Sequence, residues 1–528
     1  MTYKVLITGS LDPLALKILG EAKDIEVDYR PDLPYKDLLP LVGECHALVN
    51  RSETDVTREL IDKAKHLKVI ARAAVGVGNI DIDYATEKGI LVINTPGKNT
   101  NSAAELTLTL LLAAVRKVVS AHEHMAQLHW ERHRFTGTEL LGKTIGIIGL
   151  GNVGHRVARF AHGFDMEVLA YDPYISDDVF EAHQAQKVGL DTLLARADVV
   201  TLHVPKNKET TNLIGADELA KCRDGVILIN TARGGVVNEQ ALLAALKSGK
   251  VAAAGIDTWD VEPPKENLFK ELPNVVMTPH IGASTHEAQL RIAESIAEQT
   301  IRALRDEVVD FPVNMPRLKG MMTPRSKYYT VLAEKLGRFA MQSLQFNPRQ
   351  ITITYRGELT QEEGGFVRMG FLKGFMAGSS DEVISFVNAD KKAAERAIKV
   401  VEETDPGFTV YQSAVKFTVA DQNQTFTIGG VVFGENNYRL SLVNGFTFEV
   451  HPEGNMLTIV NRDQVGVIGK VGTTLAEAGV NISQFELSRN RPGGEAMAVI
   501  CVDSPISKQV LDTLKALPFI IHVCAINI

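Results

Sequence analysis

Three residues with complementary chemistry each follow a predicted strand of this chain. His280 comes just after the apolar strand Val275–Met277, while Glu262 and Arg233 follow two other predicted strands. In doubly wound sheets, ligands bind at the carboxyl ends of the strands, so these side chains should share one edge. Imidazole suits proton transfer near neutral pH, a carboxylate stabilises its protonated form, and a guanidinium binds a substrate carboxylate. The three residues together predict a site for proton and hydride transfer.

A glycine-rich turn predicts the dinucleotide that such a reaction needs. Gly149, Gly151 and Gly154 follow the apolar segment 144–148 and precede a helical pattern. In this arrangement the first glycine permits a tight turn, the second admits a pyrophosphate, and the third lets the helix pack closely. Asp172 ends the next strand, 18 residues after Gly154, where its carboxylate can bind a ribose diol and repel a 2′-phosphate. We therefore expect NAD as the cofactor. The predicted cofactor-binding set is completed by Asn152, Val153, Thr231 and Asp257.

Length and composition limit the class of protein. A chain of 528 residues implies three or four domains of about 100–200 residues each. The net charge of −8 argues against nucleic acid as a partner. Four scattered cysteines argue against a zinc site or a disulfide framework and favour a cytoplasmic location. We expect no metal, no signal peptide and no membrane span, since the most apolar helix, roughly 103–115, is too short to cross a bilayer.

The order of predicted elements divides the chain into domains. Strand and helix patterns alternate over residues 1–98 and again around the glycine turn, which predicts two parallel sheets. Ser102 and Glu105 predict a capping box that opens a helix continuing past Val115. A further helix near residues 285–305 could return to the first sheet. We therefore predict an NAD-binding domain at 99–282, inserted in a substrate-binding domain formed by 1–98 and 283–316.

The remaining residues predict two more domains. Pro312 and Pro316 break the alternating pattern and indicate a boundary. Residues 317–452 look like an α+β domain with strands near 350–356 and 429–433, and they contain no catalytic constellation. Residues 453–528 have the order βαββαβ, which is the ferredoxin-like plan. Because that fold has many functions, it does not by itself assign one.

Taken in order, the motifs resemble those of the D-isomer-specific 2-hydroxyacid dehydrogenase family. The matching segments are the glycine turn, 94–97, 102–107, 231–234, 260–263 and 278–285. The length and the C-terminal ACT-like unit resemble the long, phosphoglycerate-oxidising branch of the family. The resemblance implies a Rossmann domain inserted in a flavodoxin-like domain, followed by an α+β intervening domain and a ferredoxin-like ACT domain. It also implies oxidation of 3-phosphoglycerate to 3-phosphohydroxypyruvate with NAD, the first step of L-serine biosynthesis, by a homo-oligomer that is a dimer of dimers.

The resemblance assigns roles to individual residues of the catalytic half. It implies that His280 takes the hydroxyl proton, that Glu262 supports it, and that Arg233 holds the substrate carboxylate. Gly76 belongs to a segment that resembles the family's substrate-carboxylate loop. The cations expected to bind the substrate's phosphate are Arg51 and Arg72, with Arg132 and Arg134 offered by a partner subunit.

The ACT-like unit implies control by an amino acid, with L-serine as the expected inhibitor. Asn461, Asp463 and Asn481 match the positions that bind serine in the family. Val465 replaces the proline that usually precedes the turn glycine. Three possibilities therefore remain for this unit: it binds serine, it binds another ligand, or it serves only as a dimer interface.

Two other functions are compatible with the same motifs. The first is a dehydrogenase of the same family that acts on glyoxylate, hydroxypyruvate or lactate. The second is a co-repressor-like protein that binds NAD as a ligand without catalysis. Activity with phosphorylated and unphosphorylated hydroxypyruvate separates these possibilities.

Overall fold

Two parallel sheets organise residues 2–316 of the computed structural model. The structure describes residues 2–316, 323–359, 361–378, 383–405, 411 and 413–528. The predicted domain boundary after residue 316 adjoins residues 317–322, which lie outside the described part, and it stays a prediction. Among the described residues, no helix combines the length and the apolar character that crossing a membrane requires.

The first sheet has the strand order β2-β1-β3-β4-β5, which is the flavodoxin-like order. All its strands are parallel, and β3 and β4 are buried along their whole length, as expected for a sheet covered on both faces. Its elements are β1 (Tyr3–Thr8), α1 (Pro13–Glu21), β2 (Ile25–Arg30), α2 (Tyr35–Leu38), β3 (Ala47–Asn50), α3 (Arg58–Lys63), β4 (Val69–Arg72), α4 (Ile82–Glu87) and β5 (Leu91–Ile93).

The second sheet has the order β12-β11-β10-β9-β6-β7-β8 and is also wholly parallel. Two helices, α5 (Thr100–Val115) and α6 (Val118–Ala126), precede it. Its elements are β6 (Thr144–Ile148), α7 (Asn152–His162), β7 (Glu167–Tyr171), α8 (Asp177–Ala182), β8 (Gln186–Lys187), α9 (Leu190–Arg196), β9 (Val199–Leu202), α10 (Ala216–Lys221), β10 (Val226–Asn230), α11 (Glu239–Ser248), β11 (Val251–Ile256) and β12 (Val275–Met277).

The next helix, α12 (His286–Leu304), returns to the first sheet. Its Ile292 and Ile296 are buried in the same core as Val5 and Ile7 of β1. The predicted insertion of a Rossmann domain into a flavodoxin-like domain is therefore confirmed. This arrangement turns the carboxyl edges of both sheets toward a common cleft.

Two predictions about the helix between the sheets are wrong. Ser102 does not cap the helix, because α5 already begins at Thr100, and the Ser102 hydroxyl instead hydrogen-bonds the Thr285 hydroxyl at 2.7 Å. The helix also does not continue past Val115. Lys117 adopts a left-handed φ of +52°, which an α-helix cannot contain, and α6 starts after it.

Two antiparallel-rich sheets form the rest of the chain. The intervening region contains α13 (Pro324–Ser343), β13 (Gln350–Gly357), α14 (Gln361–Ala377), α15 (Ala389–Glu395), β14 (Lys399–Asp405), β15 (Ser413–Ala420), β16 (Thr425–Phe433), β17 (Asn437–Val443) and β18 (Phe446–Val450). The C-terminal unit contains β19 (Asn455–Arg462), α16 (Val467–Glu477), β20 (Ile482–Arg489), β21 (Glu495–Val502), α17 (Lys508–Lys515) and β22 (Ile520–Asn527). Its sheet order, β20-β21-β19-β22, confirms the ferredoxin-like prediction.

The C-terminal sheet is covered on both faces. Leu457 and Ile459 face the core formed with α16 and α17. On the other face, Met456, Met497 and Val499 belong to the same apolar core as the helices and strands of the intervening region. The two units therefore share a core and are not connected merely by a linker.

Glycines let α13 and α14 cross at very short range inside that core. A Cβ on Gly374 would lie 2.0 Å from the carbonyl oxygen of Glu334, and one on Gly370 would lie 2.4 Å from that of Thr330. Real Cβ atoms do not approach backbone atoms so closely. The packing of these two helices therefore requires glycine at both positions.

We expect the Gly374→Ala substitution to weaken this crossing, because the added methyl group forces backbone atoms apart. Overpacking of this kind costs about 1–3 kcal/mol. Hydrogen exchange of residues 324–343 in the full chain should accelerate. The matched control is Gly472→Ala in α16, where a Cβ meets nothing within 4 Å and alanine should favour the helix. Equal exchange in the two variants would contradict the tight crossing.

Candidate active site

The glycine turn between β6 and α7 has the shape of a phosphate-binding cradle. Gly149 has a left-handed φ of +90°, and a Cβ there would lie 2.8 Å from Val204 Cγ1. A Cβ on Gly154 would lie 2.0 Å from the carbonyl oxygen of Gly149, so glycine is needed for α7 to pack this closely. Gly151 faces open space instead, with no atom within 4 Å of where a Cβ would stand.

The start of α7 is open to an anionic group. No side chain caps this helix, so the backbone N–H groups of its first turn, beginning at Asn152 and Val153, keep their capacity to donate. A helix N-terminus with free donors and the positive end of the helix dipole binds phosphate groups well. The turn therefore fits the pyrophosphate of a dinucleotide.

Asp172 stands directly beside the turn. Its Oδ2 accepts a hydrogen bond from the backbone N–H of Leu150 at 3.0 Å, and its Oδ1 accepts one from that of Tyr174 at 3.0 Å. A carboxylate has further acceptor positions, which remain for the hydroxyls of a ribose. Its negative charge opposes a 2′-phosphate, so this residue favours NAD.

His280 and Glu262 form a hydrogen-bonded pair at the carboxyl edge of the second sheet. His280 Nδ1 lies 2.7 Å from Glu262 Oε2, and the other carboxylate oxygen accepts from the backbone N–H of Trp259 at 3.0 Å. The pair uses Nδ1, which leaves Nε2 for a substrate. Both side chains keep about two fifths of their surface exposed, 43% for the histidine and 38% for the glutamate. They are therefore accessible to a ligand in the cleft.

The environment keeps Glu262 ionised. Partial burial raises the pKa of Glu262, but the hydrogen bonds from His280 and from the Trp259 N–H lower it more, so the net direction is downward. An ionised carboxylate stabilises a positive imidazole ring. The pair is thus suited to hold the proton that leaves a substrate hydroxyl.

Arg233 connects the two sheets across the cleft. The loop that carries it packs tightly on the Glu262 loop, since a Cβ on Gly234 would lie 1.7 Å from the carbonyl oxygen of Trp259. Its guanidinium reaches the first domain, where a Cβ on Gly76 would lie 3.2 Å from Arg233 Nη2. Burial lowers the pKa of Arg233, as expected for a cation withdrawn from water.

Arg72 of the first domain lies near both Arg51 and Arg233. Arg72 donates from Nε to the carbonyl oxygen of Gly76 at 2.9 Å and from Nη2 to the Ser52 hydroxyl at 3.2 Å, while its buried Nη1 has no protein acceptor. Burial, followed by the charges of Arg51 and Arg233, lowers the pKa of Arg72 to about 10. Arg72 thus has a cation on each side, Arg51 in its own domain and Arg233 in the other, and such a group of cations suits an anion with several charges.

Thr231 and Asp257, predicted as cofactor ligands, make contacts within the protein. The Thr231 hydroxyl lies 2.7 Å from that of Thr107 in α5. Asp257 is fully buried, and its carboxylate accepts hydrogen bonds from the Thr278 hydroxyl and from two backbone N–H groups of the His280 loop. Sequence reasoning gave no role to Trp259 or Thr278, although the tryptophan lies two residues after the predicted strand that ends at Asp257.

Within one chain, the structure does not place Arg134 beside Arg51 or Arg72. It lies in an exposed turn, Arg132–Phe135, and its ion-pair partner is Glu131 at 3.6 Å. No contact among the described residues connects it with Arg51 or Arg72. A role in the cleft would therefore require a second subunit, as the sequence analysis expects.

The predicted effector residues converge only in part. Asn461 is buried, with no partner for its Oδ1, and it lines a small cavity with Asp463 under the start of α16. Asn481 stands near the opposite end of the sheet. Strand β21 pairs its residue Ala496 with Asn461 of β19, but pairs Val502, at its other end, with the start of β20. The three residues therefore cannot bind one small ligand within a single chain.

A proton-transfer pair and a dinucleotide cradle follow strands of the same parallel sheet, and together they fit a reaction in which a proton and a hydride leave one substrate. The site thus belongs to the class of NAD-dependent dehydrogenases. Three family models match the chain, and two of them describe domains of dehydrogenases. Residues 108–282 match the D-isomer specific 2-hydroxyacid dehydrogenase NAD-binding domain, 325–444 match the D-3-phosphoglycerate dehydrogenase intervening domain, and 455–519 match the ACT domain.

Relatives align over the whole chain. The D-3-phosphoglycerate dehydrogenase of Methanocaldococcus jannaschii is 40% identical over 526 residues, which cover 99% of this chain and 100% of that protein. The enzyme of the same name from Bacillus subtilis is 34% identical over 534 residues and covers 100% of both chains. The chain belongs to the D-3-phosphoglycerate dehydrogenase family.

Solved structures resemble the catalytic part. The D-lactate dehydrogenase of Aquifex aeolicus, complexed with NAD and lactic acid, is 29% identical with a TM-score of 0.53 and covers 59% of this chain and 100% of its own. A glyoxylate reductase from Paecilomyes thermophila is 30% identical with a TM-score of 0.55 and covers 59% and 98%. NAD as cofactor and the inserted Rossmann fold agree with these likenesses.

We expect Asp172→Ala to weaken NADH binding and to narrow the preference for NADH over NADPH, because the variant loses the diol acceptor and the charge that repels a 2′-phosphate. Dissociation constants for both cofactors, from fluorescence titration, measure this. Asp177→Ala, on the exposed start of α8, is the control. Equal binding of both cofactors by the unmodified protein would contradict the assignment of Asp172.

Proposed function

We propose that this protein oxidises D-3-phosphoglycerate to 3-phosphohydroxypyruvate with NAD, the first step of L-serine biosynthesis. The observation that carries the proposal is that Arg51 and Arg72 of the first domain lie opposite Arg233, which stands beside the His280–Glu262 pair. A substrate with a carboxylate, a hydroxyl and a phosphate can engage all three kinds of group. The full-length likeness to enzymes of that name supports the same substrate.

Each catalytic residue has one task in this proposal. Arg233 holds the substrate carboxylate with its planar guanidinium. The loop at Gly76 lies against that guanidinium. His280 Nε2 removes the proton of the hydroxyl on C2, so the C–O bond becomes a carbonyl as the hydrogen on C2 leaves with its electron pair. Glu262 stabilises the protonated imidazole ring. Bound NAD supplies the acceptor for the hydride.

The phosphate is assigned to Arg51 and Arg72. Arg51 is held by the Ser10 carbonyl oxygen at 2.7 Å and by Gln289 Oε1 at 2.8 Å, which fix its direction at the edge of the first sheet. The unpartnered Nη1 of Arg72 is a ready donor for a phosphate oxygen. We assign Arg134 of a partner subunit to the rim of the same cleft.

An exposed apolar segment supports a homo-oligomer. Leu128 is 84% exposed, Trp130 is 75% exposed and Leu141 is 68% exposed, all within the segment that also carries Arg134. Large apolar side chains grouped in this way are typical of subunit interfaces. We propose that this segment pairs two subunits and delivers Arg134 to the partner's cleft, within the dimer of dimers that the sequence analysis expects.

The proposal includes L-serine as the effector and the cytoplasm as the location. The ACT match, the unpartnered Oδ1 of Asn461 and the carboxylate of Asp463 support an amino-acid ligand whose ammonium group needs acceptors. Because Asn481 stands near the other end of the sheet, an interface between two copies of the unit would complete the site. Four free cysteines support a reducing compartment.

We expect Arg72→Ala to raise the KM for 3-phosphohydroxypyruvate about ten- to a hundredfold, the loss that one charged hydrogen bond implies. The KM for unphosphorylated hydroxypyruvate should change little, because that substrate lacks the phosphate. Arg58→Ala is the control, since Arg58 pairs with Asp81 on the surface. Equal losses on both substrates would remove Arg72 from phosphate binding and favour a reductase of unphosphorylated hydroxy acids.

We expect L-serine to lower kcat without competing with the substrate, and Asp463→Ala to abolish this inhibition. Residues 453–528 should not be deleted in this test, because their sheet shares its core with the intervening region. Initial rates and calorimetry with and without L-serine measure the effect, with Asp512→Ala on α17 as the control. If the unmodified protein binds no L-serine at millimolar concentration, serine is not the effector.

A further inference from the structure

His280 has an unusual backbone conformation. Its φ is +56°, in the left-handed region that non-glycine residues with a Cβ seldom occupy. Such a conformation is strained and persists where surrounding contacts determine it. The contacts that hold this loop therefore bear directly on where the imidazole ring points.

Hydrogen bonds fix the chain on both sides of His280. Before it, the Thr278 hydroxyl donates to Asp257 Oδ1 at 2.6 Å, and the Thr278 carbonyl oxygen accepts from Trp259 Nε1 at 3.1 Å. After it, the N–H of Ile281 donates to the same Oδ1 at 2.8 Å. His280, the left-handed residue, lies between these two anchors and takes part in none of these hydrogen bonds itself.

Trp259 also contacts the other two catalytic loops. Its backbone N–H donates to Glu262 Oε1 at 3.0 Å, and its carbonyl oxygen lies so close to Gly234 that no Cβ fits between them. Its ring packs beside the buried Phe269, with centroids 6.3 Å apart. One residue thus touches the segments that carry Arg233, Glu262 and His280.

Two of these bonds have a side-chain donor that a near-isosteric replacement can remove. The backbone contacts of residue 259 would remain with any side chain, whereas the bond to the Thr278 carbonyl oxygen needs the indole N–H. The bond to Asp257 Oδ1 from residue 278 needs a hydroxyl. Each of these two bonds can therefore be removed separately, and each removal should loosen the loop that carries His280.

Building on the proposed role of His280 as the base, we propose that Trp259 and Thr278 are positioning residues that hold its ring against Glu262. They touch neither substrate nor cofactor in this assignment. They keep the 2.7 Å bond between His280 and Glu262 by fixing the strained turn that carries the histidine. Loss of either bond lets the ring move out of the geometry that proton transfer requires.

The test compares Trp259→Phe, Thr278→Val and Thr278→Ser in the full-length protein. Phenylalanine keeps an aromatic ring but loses the N–H, valine keeps the shape of threonine but loses the hydroxyl, and serine keeps the hydroxyl. We expect the first two variants to lower kcat about ten- to a hundredfold, the effect of a misplaced catalytic group. NADH affinity and Tm should stay close to those of the unmodified protein, and Thr278→Ser should restore most of kcat.

The pH profile supplies a readout that a merely structural role would not move. Burial raises the pKa of Glu262, but the hydrogen bond from His280 contributes to its net lowering. A looser pair loses that contribution, so the pKa of Glu262 rises. In Trp259→Phe and Thr278→Val, the pH below which kcat/KM falls should therefore move to higher values. Thr109→Val, whose hydroxyl bonds within α5, is the matched control and should leave the profile in place.

Two results would overturn the proposal. One is unchanged kcat in both variants. The other is a parallel fall of Tm and kcat with the pH profile unmoved, which would make both residues structural only. The His280→Ala variant distinguishes a failure of the positioning proposal from a failure of the proposed function. If His280→Ala keeps normal turnover, His280 is not the base, whatever the variants of Trp259 and Thr278 show.

Discussion

The close approach of Arg233 to Gly76 is the constraint on which the cleft depends. These residues belong to different sheets, and their contact requires that the carboxyl edges of both sheets face each other. The insertion of the second sheet between β5 and α12 produces that arrangement, because α12 must return to bury Ile292 and Ile296 in the first core. A buried cation between two domains is costly unless an anion accompanies it. The architecture therefore presents a charged site that a substrate completes.

The local parts of the catalytic half could be predicted from the sequence. The glycine turn could be predicted because Gly149 and Gly154 stand between an apolar strand pattern and a helical pattern, with Asp172 at the end of the next strand. The contacts of Asp257 with the His280 loop could not be predicted, because its partners lie 21 to 25 residues away and only the fold brings them together. The prediction that Ser102 caps a helix was wrong for a similar reason. A serine suits a cap, but the partner of this one is Thr285, 183 residues later.

In the C-terminal half, too, local elements could be predicted from the sequence and contacts between distant residues could not. The order of strands and helices in the ACT unit was readable from apolar patterns. Its shared core with the intervening region was not, since Met456, Met497 and Val499 look like ordinary alternating strand residues in the sequence. In the proposed regulation, that shared core would connect a ligand under α16 with the intervening region. The intervening region in turn contacts the first domain, where Asn388 Nδ2 donates to the Glu87 carbonyl oxygen at 3.4 Å.

The central claim is that His280 moves a proton for a phosphorylated 2-hydroxy acid while hydride passes to NAD. The most direct test measures NADH oxidation with 3-phosphohydroxypyruvate and with hydroxypyruvate, for the unmodified protein and for His280→Ala. The account predicts a much higher kcat/KM for the phosphorylated substrate, and a loss of roughly 10²–10⁴ in turnover in the variant with NADH binding retained. Equal rates on both substrates, or a variant that turns over normally, would contradict it.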